Sequence, residues 1–358
     1  MSPTERVGCT KALSTTIKDL ASLDFPAYGS LYFSDAPLDA SEKIPFAEGF
    51  CIGPLCSPIY WNRGPGELEL YGEPSSNHGP WKDLKTYSLG LIDTGLARIP
   101  QDTTGELAYR GSRQDHRRLL EGVKQILQRL VEDKRIEQAA TPALLHPDFH
   151  ARNIYLSEKD PTIVTGLIDW QTASLEPAFI YANETPDFVN LPARLRRHLK
   201  LNLTRYSKER DAGLGSYETY HSCMSLVPKL SSSRMLYPIL FHLFRSATRT
   251  WTEGAALVRR DVWELSVRWE ELKLPGSCPY SFTEQEIEQQ AQNDQDFRTV
   301  RDLTTRLERN LRTNTAGWVP IDVWEAAKTA HREMYDEWID AERAAGGSPA
   351  ELEMADRL

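Results

Sequence analysis

The chain has 358 residues and a formal net charge of −9, with 40% apolar and 26% charged residues. This length can bury a sizeable core, and the composition excludes a fibrous or wholly disordered protein. The acidic balance argues against a dedicated nucleic-acid or anionic-membrane binder, and no apolar run reaches the roughly 18 residues of a membrane span.

The first part of the chain predicts a helix, a short strand and a long irregular stretch. Residues 14–34 show helical spacing that runs into a strand-like segment at Ser30–Phe33. Residues 36–85 are rich in Pro, Gly, Ser and Asn, which is typical of a functional excursion or an insertion. Its apolar anchors predict that it packs onto the domain: Phe50, Ile52, Tyr60, Trp61 and Trp81.

The rest of the chain is mostly helical in pattern, with one exception. Helices are predicted over about 84–96, with Gly95 as a candidate cap, and over about 112–136. Short apolar runs at 143–145, 153–156 and 163–168 indicate strands, and the last two predict a hairpin. Helices are expected again from about residue 192. Their apolar stripes are Val262, Leu265, Trp269 and Leu272; Val300, Leu303, Leu307 and Leu311; and Val323, Ala327, Ala330, Met334 and Trp338.

The cysteines and the amino terminus bear on the cell compartment. The five cysteines are few and widely spaced, which predicts reduced thiols in an intracellular protein. Cys51 and Cys56 have no matching pair for a zinc site and are expected to be buried thiols. The first residues contain no apolar stretch typical of a secretory signal and no clear mitochondrial presequence.

The most informative segment is His146-Pro147-Asp148-Phe149-His150-Ala151-Arg152-Asn153, followed by Ile168-Asp169-Trp170. A hairpin brings its two outer ends side by side, so Asn153 and Asp169 are expected to meet. This would gather two carboxylates and an amide oxygen around one point.

That set of groups suits phosphoryl transfer. Asp148 would orient and deprotonate an attacking hydroxyl, while Asn153 and Asp169 would offer oxygen ligands to Mg²⁺. His146 is expected to brace the loop, and His150 to support the site from behind. Two alternatives remain open: a buried polar network of purely structural value, and a metallohydrolase built from His146, Asp148, His150 and Asp169.

His-x-Asp-x-His-x-x-Asn followed by Ile-Asp-Trp resembles the aminoglycoside phosphotransferase and choline-kinase-like family, which has a protein-kinase-like fold. Several segments are similar to its branch of altered inheritance of mitochondria protein 9: Gly29–Phe33, Phe50–Pro54, Gly79–Trp81 and Ile168–Gln171. The resemblance implies Asp148 as catalytic base, Asn153 and Asp169 as metal and cofactor ligands, and Trp170 as the aromatic that follows the metal-binding Asp.

The resemblance also implies the fold and its organisation. We expect an α+β, mostly helical chain: a kinase-like carboxyl-terminal lobe with a short catalytic-loop hairpin. The expected divisions are a hinge helix and strand at 1–34, a packed family insertion at 35–85, a helical catalytic lobe at 86–345, and a frayed tail at 346–358. Mitochondrial location is implied by the family alone.

The expected departure from the family concerns the nucleotide. No Gly-rich phosphate loop followed by a strand Lys is found in the sequence, so the amino-terminal lobe is expected to be missing and ATP binding to be poor. The predicted activity is Mg²⁺-dependent transfer of the ATP γ-phosphoryl to a small-molecule hydroxyl, impaired by that loss. Cationic acceptors are compatible with the acidic balance, and no nucleic-acid partner is expected. The alternative is a catalytically silent pseudokinase or scaffold.

Overall fold

The computed structural model describes residues 2–57, 60, 77–100, 112–144, 146–182, 186, 189, 207–284, 286–287, 310–311, 319 and 321–344. The chain divides into two compact units, Met1–Ser281 and Phe282–Leu358. The predicted helix stripe from Val300 to Leu307 and the predicted tail at 346–358 lie outside the described residues.

Helices dominate the described residues, and the strands are short, so the chain is α+β and mostly helical as predicted. The helices are α1 Pro3–Ser22, α2 Leu84–Ala97, α3 Arg113–Leu130, α4 Lys134–Ala139, α5 Ser207–Ser225, α6 Pro228–Met235, α7 Ile239–Ser246, α8 Thr250–Glu253, α9 Ala255–Val267 and α10 Trp324–Ala344. The strands are β1 Ser30–Phe33, β2 Ile44–Ala47, β3 Phe50–Gly53, β4 Pro142–Leu144, β5 Ile154–Leu156, β6 Val164–Leu167 and β7 Leu175–Pro177.

The first helix begins earlier than its apolar spacing predicted. Ser2 and Glu5 form a capping box that satisfies free backbone N–H groups at the helix start, so α1 begins at Pro3. It ends at Ser22, and the chain is extended at Leu23 ahead of Phe25-Pro26, where the proline disfavours helical backbone in the preceding residue. The prediction of helix over residues 14–34 was therefore shifted towards the carboxyl end.

The strands form three small antiparallel sheets. β1, β3 and β2 make a three-stranded sheet in that order, β4 pairs with β7, and β5 pairs with β6. The β2–β3 hairpin lies within the stretch predicted to be irregular. Its two-residue loop ends at Gly49, whose φ of 79° is a left-handed conformation that glycine adopts without cost.

The apolar face predicted for α3 is confirmed, whereas the helix cap predicted at Gly95 is wrong. The apolar face predicted for α3 is buried, with Leu119, Val123 and Leu130 at most 2% exposed. Gly95 does not cap a helix: it lies inside α2, where an added Cβ would come within 2.6 Å of the Ala247 carbonyl oxygen. Close approach of two backbone segments, and not helix termination, explains that glycine.

Two isolated bridges hold the residues just before β1 to other parts of the chain. Tyr28 pairs with Trp81, and Gly29 pairs with Leu175 of β7. β7 follows the β5–β6 hairpin directly along the chain, so the hairpin is anchored to the packed core at one end. None of the helices within the described ranges is both long and apolar enough to cross a membrane.

Candidate active site

The predicted hairpin is present, and its open end forms the candidate site. Ile154 pairs with Leu167 and Tyr155 with Gly166, and the Ile168 amide donates to the Asn153 carbonyl oxygen at 3.0 Å. Asn153 ends a short 3₁₀ turn, Ala151–Asn153, and Asp169 follows Ile168. The structure therefore brings the backbones of Asn153 and Asp169 to the same end of the β-ribbon.

His146 joins the loop to that end of the hairpin. Its Nε2 lies 2.9 Å from the Ile168 carbonyl oxygen, and the Asp148 amide donates to its Nδ1 at 3.2 Å. Because a carbonyl only accepts and an amide N–H only donates, these contacts require Nε2 to donate and Nδ1 to accept. The ring also meets Trp170 edge-on at 4.6 Å between centroids. Both histidine nitrogens are thus engaged in holding the loop.

Asp148 is held by three side chains. Its Oδ1 lies 2.9 Å from His150 Nε2, and its Oδ2 accepts from Arg152 Nη2 at 2.9 Å and from Asn153 Nδ2 at 3.1 Å. The side chain is about one third exposed, at 34%. The carboxylate therefore has a fixed orientation at a site that solvent can reach.

The electrostatics keep Asp148 ionised. Partial burial alone would raise its pKa, but the Arg152 hydrogen bond, the charges of His150 and Arg152, and the Asn153 hydrogen bond outweigh burial and lower the pKa. A carboxylate of this kind accepts a hydrogen bond at neutral pH and is a weak base.

Asn153 is buried, at 4% exposure, and its amide is oriented. Nδ2 donates to both the carbonyl oxygen and Oδ2 of Asp148, at 2.9 Å and 3.1 Å. Since the donor end of the amide is taken, Oδ1 is the end left for a further ligand. An amide oxygen so directed suits a hard cation.

Asp169 has an unusual backbone. Its φ is 67°, a left-handed conformation that costs energy in a residue with a side chain. Within the described part of the chain, its half-buried carboxylate makes no hydrogen bond or ion pair. A left-handed aspartate whose carboxylate has no hydrogen bond or ion pair within the described residues is a candidate position for a ligand.

Sequence reasoning missed Arg152. Asp148 and Arg152 are four residues apart around a tight turn, and this i,i+4 acid–base spacing was a usable signal.

The metallohydrolase alternative gains no support, because the described residues contain no group of three or more His, Cys, Asp or Glu side chains able to hold a metal ion. Cys51 and Cys56 are both free thiols, but the prediction that both are buried is right for Cys51 and wrong for Cys56, which is exposed.

Comparison with known proteins confirms the resemblance drawn from the motifs. Residues 88–180, which contain the whole candidate site, match the model of the phosphotransferase enzyme family. A subtelomeric hrmA-associated cluster protein of Aspergillus fumigatus is 24% identical over 88% of this chain and 70% of its own length. No solved structure matches the chain significantly.

Two further relatives carry the name predicted from the motifs. Altered inheritance of mitochondria protein 9, mitochondrial, is 23% identical in Lachancea thermotolerans and 21% identical in Saccharomyces cerevisiae. The alignments cover 87% and 88% of this chain but 55% and 56% of those proteins. The chain thus spans about half the length of these two relatives.

Proposed function

We propose that residues 146–170 are the catalytic loop of a kinase-like phosphotransferase that transfers the γ-phosphoryl group of ATP to a hydroxyl of a small molecule. The single observation that supports this proposal is that the backbones of Asn153 and Asp169 lie at one end of the β5–β6 hairpin, where the Asn153 amide also donates to Asp148. The match of residues 88–180 to the phosphotransferase enzyme family supports it.

Asp148 is the residue that binds the acceptor. Its lowered pKa keeps the carboxylate ionised, so it accepts a hydrogen bond from the acceptor hydroxyl and aligns the attacking oxygen. The phosphoryl transition state is loose, with little bond formation to the nucleophile, so the proton moves late and a weak base is sufficient. Asp148 therefore contributes by orienting the acceptor hydroxyl more than by its strength as a base.

Asn153 and Asp169 are the residues that would hold Mg²⁺. The donors fit the ion: both are oxygens, one is charged, and the Asn153 amide has its Nδ2 engaged by Asp148, which leaves Oδ1 for a ligand. Mg²⁺ keeps several waters and binds the phosphates, so one carboxylate and one amide oxygen are a sufficient protein contribution. When bound, the ion neutralises charge on the phosphates.

The acceptor must compete for Asp148. Arg152 and His150, whose side chains are 56% and 44% exposed, are the partners that solvent reaches and that can be displaced. Asn153 is buried and remains in place. We therefore propose that the acceptor hydroxyl takes the position now held by Arg152 or His150.

The engagement of both Asp148 oxygens is also the observation that favours the second candidate, a catalytically silent scaffold. A carboxylate that stays paired with Arg152 and His150 is unavailable to an acceptor.

We also propose for this chain the mitochondrial location that is printed in the names of some relatives. A fluorescent fusion followed by organelle imaging tests this proposal.

A thermal-shift titration separates the two candidates. ATP binding is expected to be weak without a phosphate loop, but millimolar ATP with Mg²⁺ still gives a small rise in the melting temperature of the wild-type chain, because a ligand that binds only the native state stabilises it. Asp169→Ala abolishes the shift. Asp148→Asn keeps the shift but loses acceptor-dependent ATP turnover, measured with choline and with glycerol as cationic and neutral probes. No shift at millimolar nucleotide contradicts the phosphotransferase proposal and favours the scaffold.

A further inference from the structure

A cavity of about 240 Å³ lies within the first compact unit, between α2, β7 and the end of α7. Described residues line it from four parts of the chain, and none of them is His146, Asp148, Asn153 or Asp169. At about 30 Å³ of liquid volume per water molecule, the space equals roughly eight waters. It is large enough for a small organic ligand.

One wall of the cavity is a buried carboxylate. Glu176 of β7 is 8% exposed, and its Oε1 accepts from Ser174 Oγ at 2.6 Å. Its Oε2 accepts from Tyr87 Oη at 3.3 Å. Both oxygens therefore accept from hydroxyl groups, one of them on the lining residue Tyr87, and the carboxylate has a fixed orientation in the cavity.

The described lining also includes two guanidinium groups. Arg245, in the last turn of α7, and Arg249, in the 3₁₀ turn that follows, are four residues apart on a continuous helical path, so they point to one side. Burial raises the pKa of Glu176, and the charges of Arg245 and Arg249 partly oppose that effect. Among the described lining residues there are two arginines and one glutamate, so the described lining has a positive surplus whether or not Glu176 is ionised.

The rest of the lining is aromatic and aliphatic. Tyr60, Leu91 and Phe244 are each at most 3% exposed and contribute apolar surface. Arg249 is exposed, so the positively charged side is the one that faces solvent. A ligand of matching shape has a compact apolar body that enters first and an anionic group that remains near the arginines.

We propose that this Glu176 cavity binds a small monocarboxylate with an apolar or aromatic body. The carboxylate pairs with Arg249 and Arg245, and the body packs against Tyr60, Leu91 and Phe244. A cationic ligand is disfavoured, since it would meet the charge surplus of the lining. The inference stands apart from the proposed phosphoryl transfer, because it uses none of the residues of the hairpin site.

Isothermal titration calorimetry with two ring-matched probes tests this proposal. Benzoate and benzamidinium have the same ring and opposite charge. Each is titrated into the full wild-type chain, into Arg249→Gln and into Arg117→Gln, a matched control at an exposed arginine on α3. We expect benzoate to bind at least tenfold more tightly than benzamidinium. We expect Arg249→Gln to weaken benzoate about tenfold, because a charge-assisted hydrogen bond is lost.

Arg117→Gln is expected to bind benzoate like the wild type. Three results would overturn the proposal: tighter binding of benzamidinium, no benzoate binding at millimolar concentration, or equal benzoate affinity in wild type and Arg249→Gln. Matching circular dichroism spectra for the three proteins establish that folding is unchanged. No nucleotide is present, so the result is independent of phosphotransferase activity.

Discussion

Arg152 donates from Nη2 to Oδ2 of Asp148 across 2.9 Å, from a position four residues further along the same tight turn. The guanidinium is more exposed than the carboxylate, at 56% against 34%. Arg152 is therefore the partner that is more accessible to solvent, and Asp148, the candidate catalytic base, is the less accessible one. Replacing that arginine is the most direct way to alter Asp148 without touching it.

Arg152→Gln is expected to raise the pKa of Asp148. The substitution removes a charge and a hydrogen bond that both lower the pKa, and it leaves the burial that raises it. A carboxyl-detected NMR titration measures the change. The free energy of unfolding at pH 7 should fall by less than about 1 kcal/mol, because exposed ion pairs contribute little. An Asp148 titration curve identical to the wild-type curve would show that the pair has no electrostatic effect.

Asn153→Ala is expected to destabilise the chain by about 1–3 kcal/mol. The buried amide donates to the carbonyl oxygen and to Oδ2 of Asp148, and alanine leaves both without that donor. Urea unfolding measures the loss. Glu158→Gln, in the exposed turn of the same hairpin, is the control and should unfold like the wild type. Equal midpoints for Asn153→Ala and wild type would contradict a structural role for this amide.

Gly122→Ala is expected to destabilise the chain although it lies inside helix α3. Alanine normally gains about 1 kcal/mol over glycine in a helix. Here an added Cβ would lie 2.1 Å from Cδ2 of Tyr280, and relieving such overpacking costs roughly 1–3 kcal/mol. Gly166→Ala is the control, since its nearest neighbour would be Tyr155 Cβ at 3.9 Å. A lower melting temperature for Gly122→Ala alone is the predicted result.

Glu176→Gln is expected to change the pH dependence of stability. Burial raises the pKa of Glu176 above its unfolded value near 4.5, so the folded chain binds more protons between the two pKa values. The wild type should therefore lose stability as the pH rises through that window, and the variant should lack this component. Urea unfolding at pH 4, 5, 6 and 7 compares the two. Parallel curves would mean that Glu176 titrates normally.

The hairpin was predictable because its signals are local. Two apolar runs joined by the polar turn Ser157–Pro161 fix the pairing, and the pairing alone brings Asn153 and Asp169 together. The β2–β3 hairpin was missed although Glu48-Gly49 between two apolar runs is a usable turn signal. The high proline and glycine content of residues 36–85 led to the prediction that the whole stretch is irregular.

The remaining features depend on residues far apart in the chain. β4 pairs with β7 across more than thirty positions, and no local pattern in Pro142–Leu144 specifies that partner. The Glu176 cavity likewise combines α2, β7 and the end of α7. The Gly95 error has the same cause, because only the fold reveals the Ala247 carbonyl beside it.

The central claim is that Asn153 and Asp169 together hold one divalent cation at the end of the hairpin. Electron paramagnetic resonance of Mn²⁺, titrated with ATP into wild type, Asp169→Asn and Glu158→Gln, tests it most directly. We predict bound Mn²⁺ in the wild type and in Glu158→Gln, and affinity at least about tenfold weaker in Asp169→Asn. Equal Mn²⁺ affinity in Asp169→Asn and wild type, or no bound Mn²⁺ in the wild type, would contradict the claim.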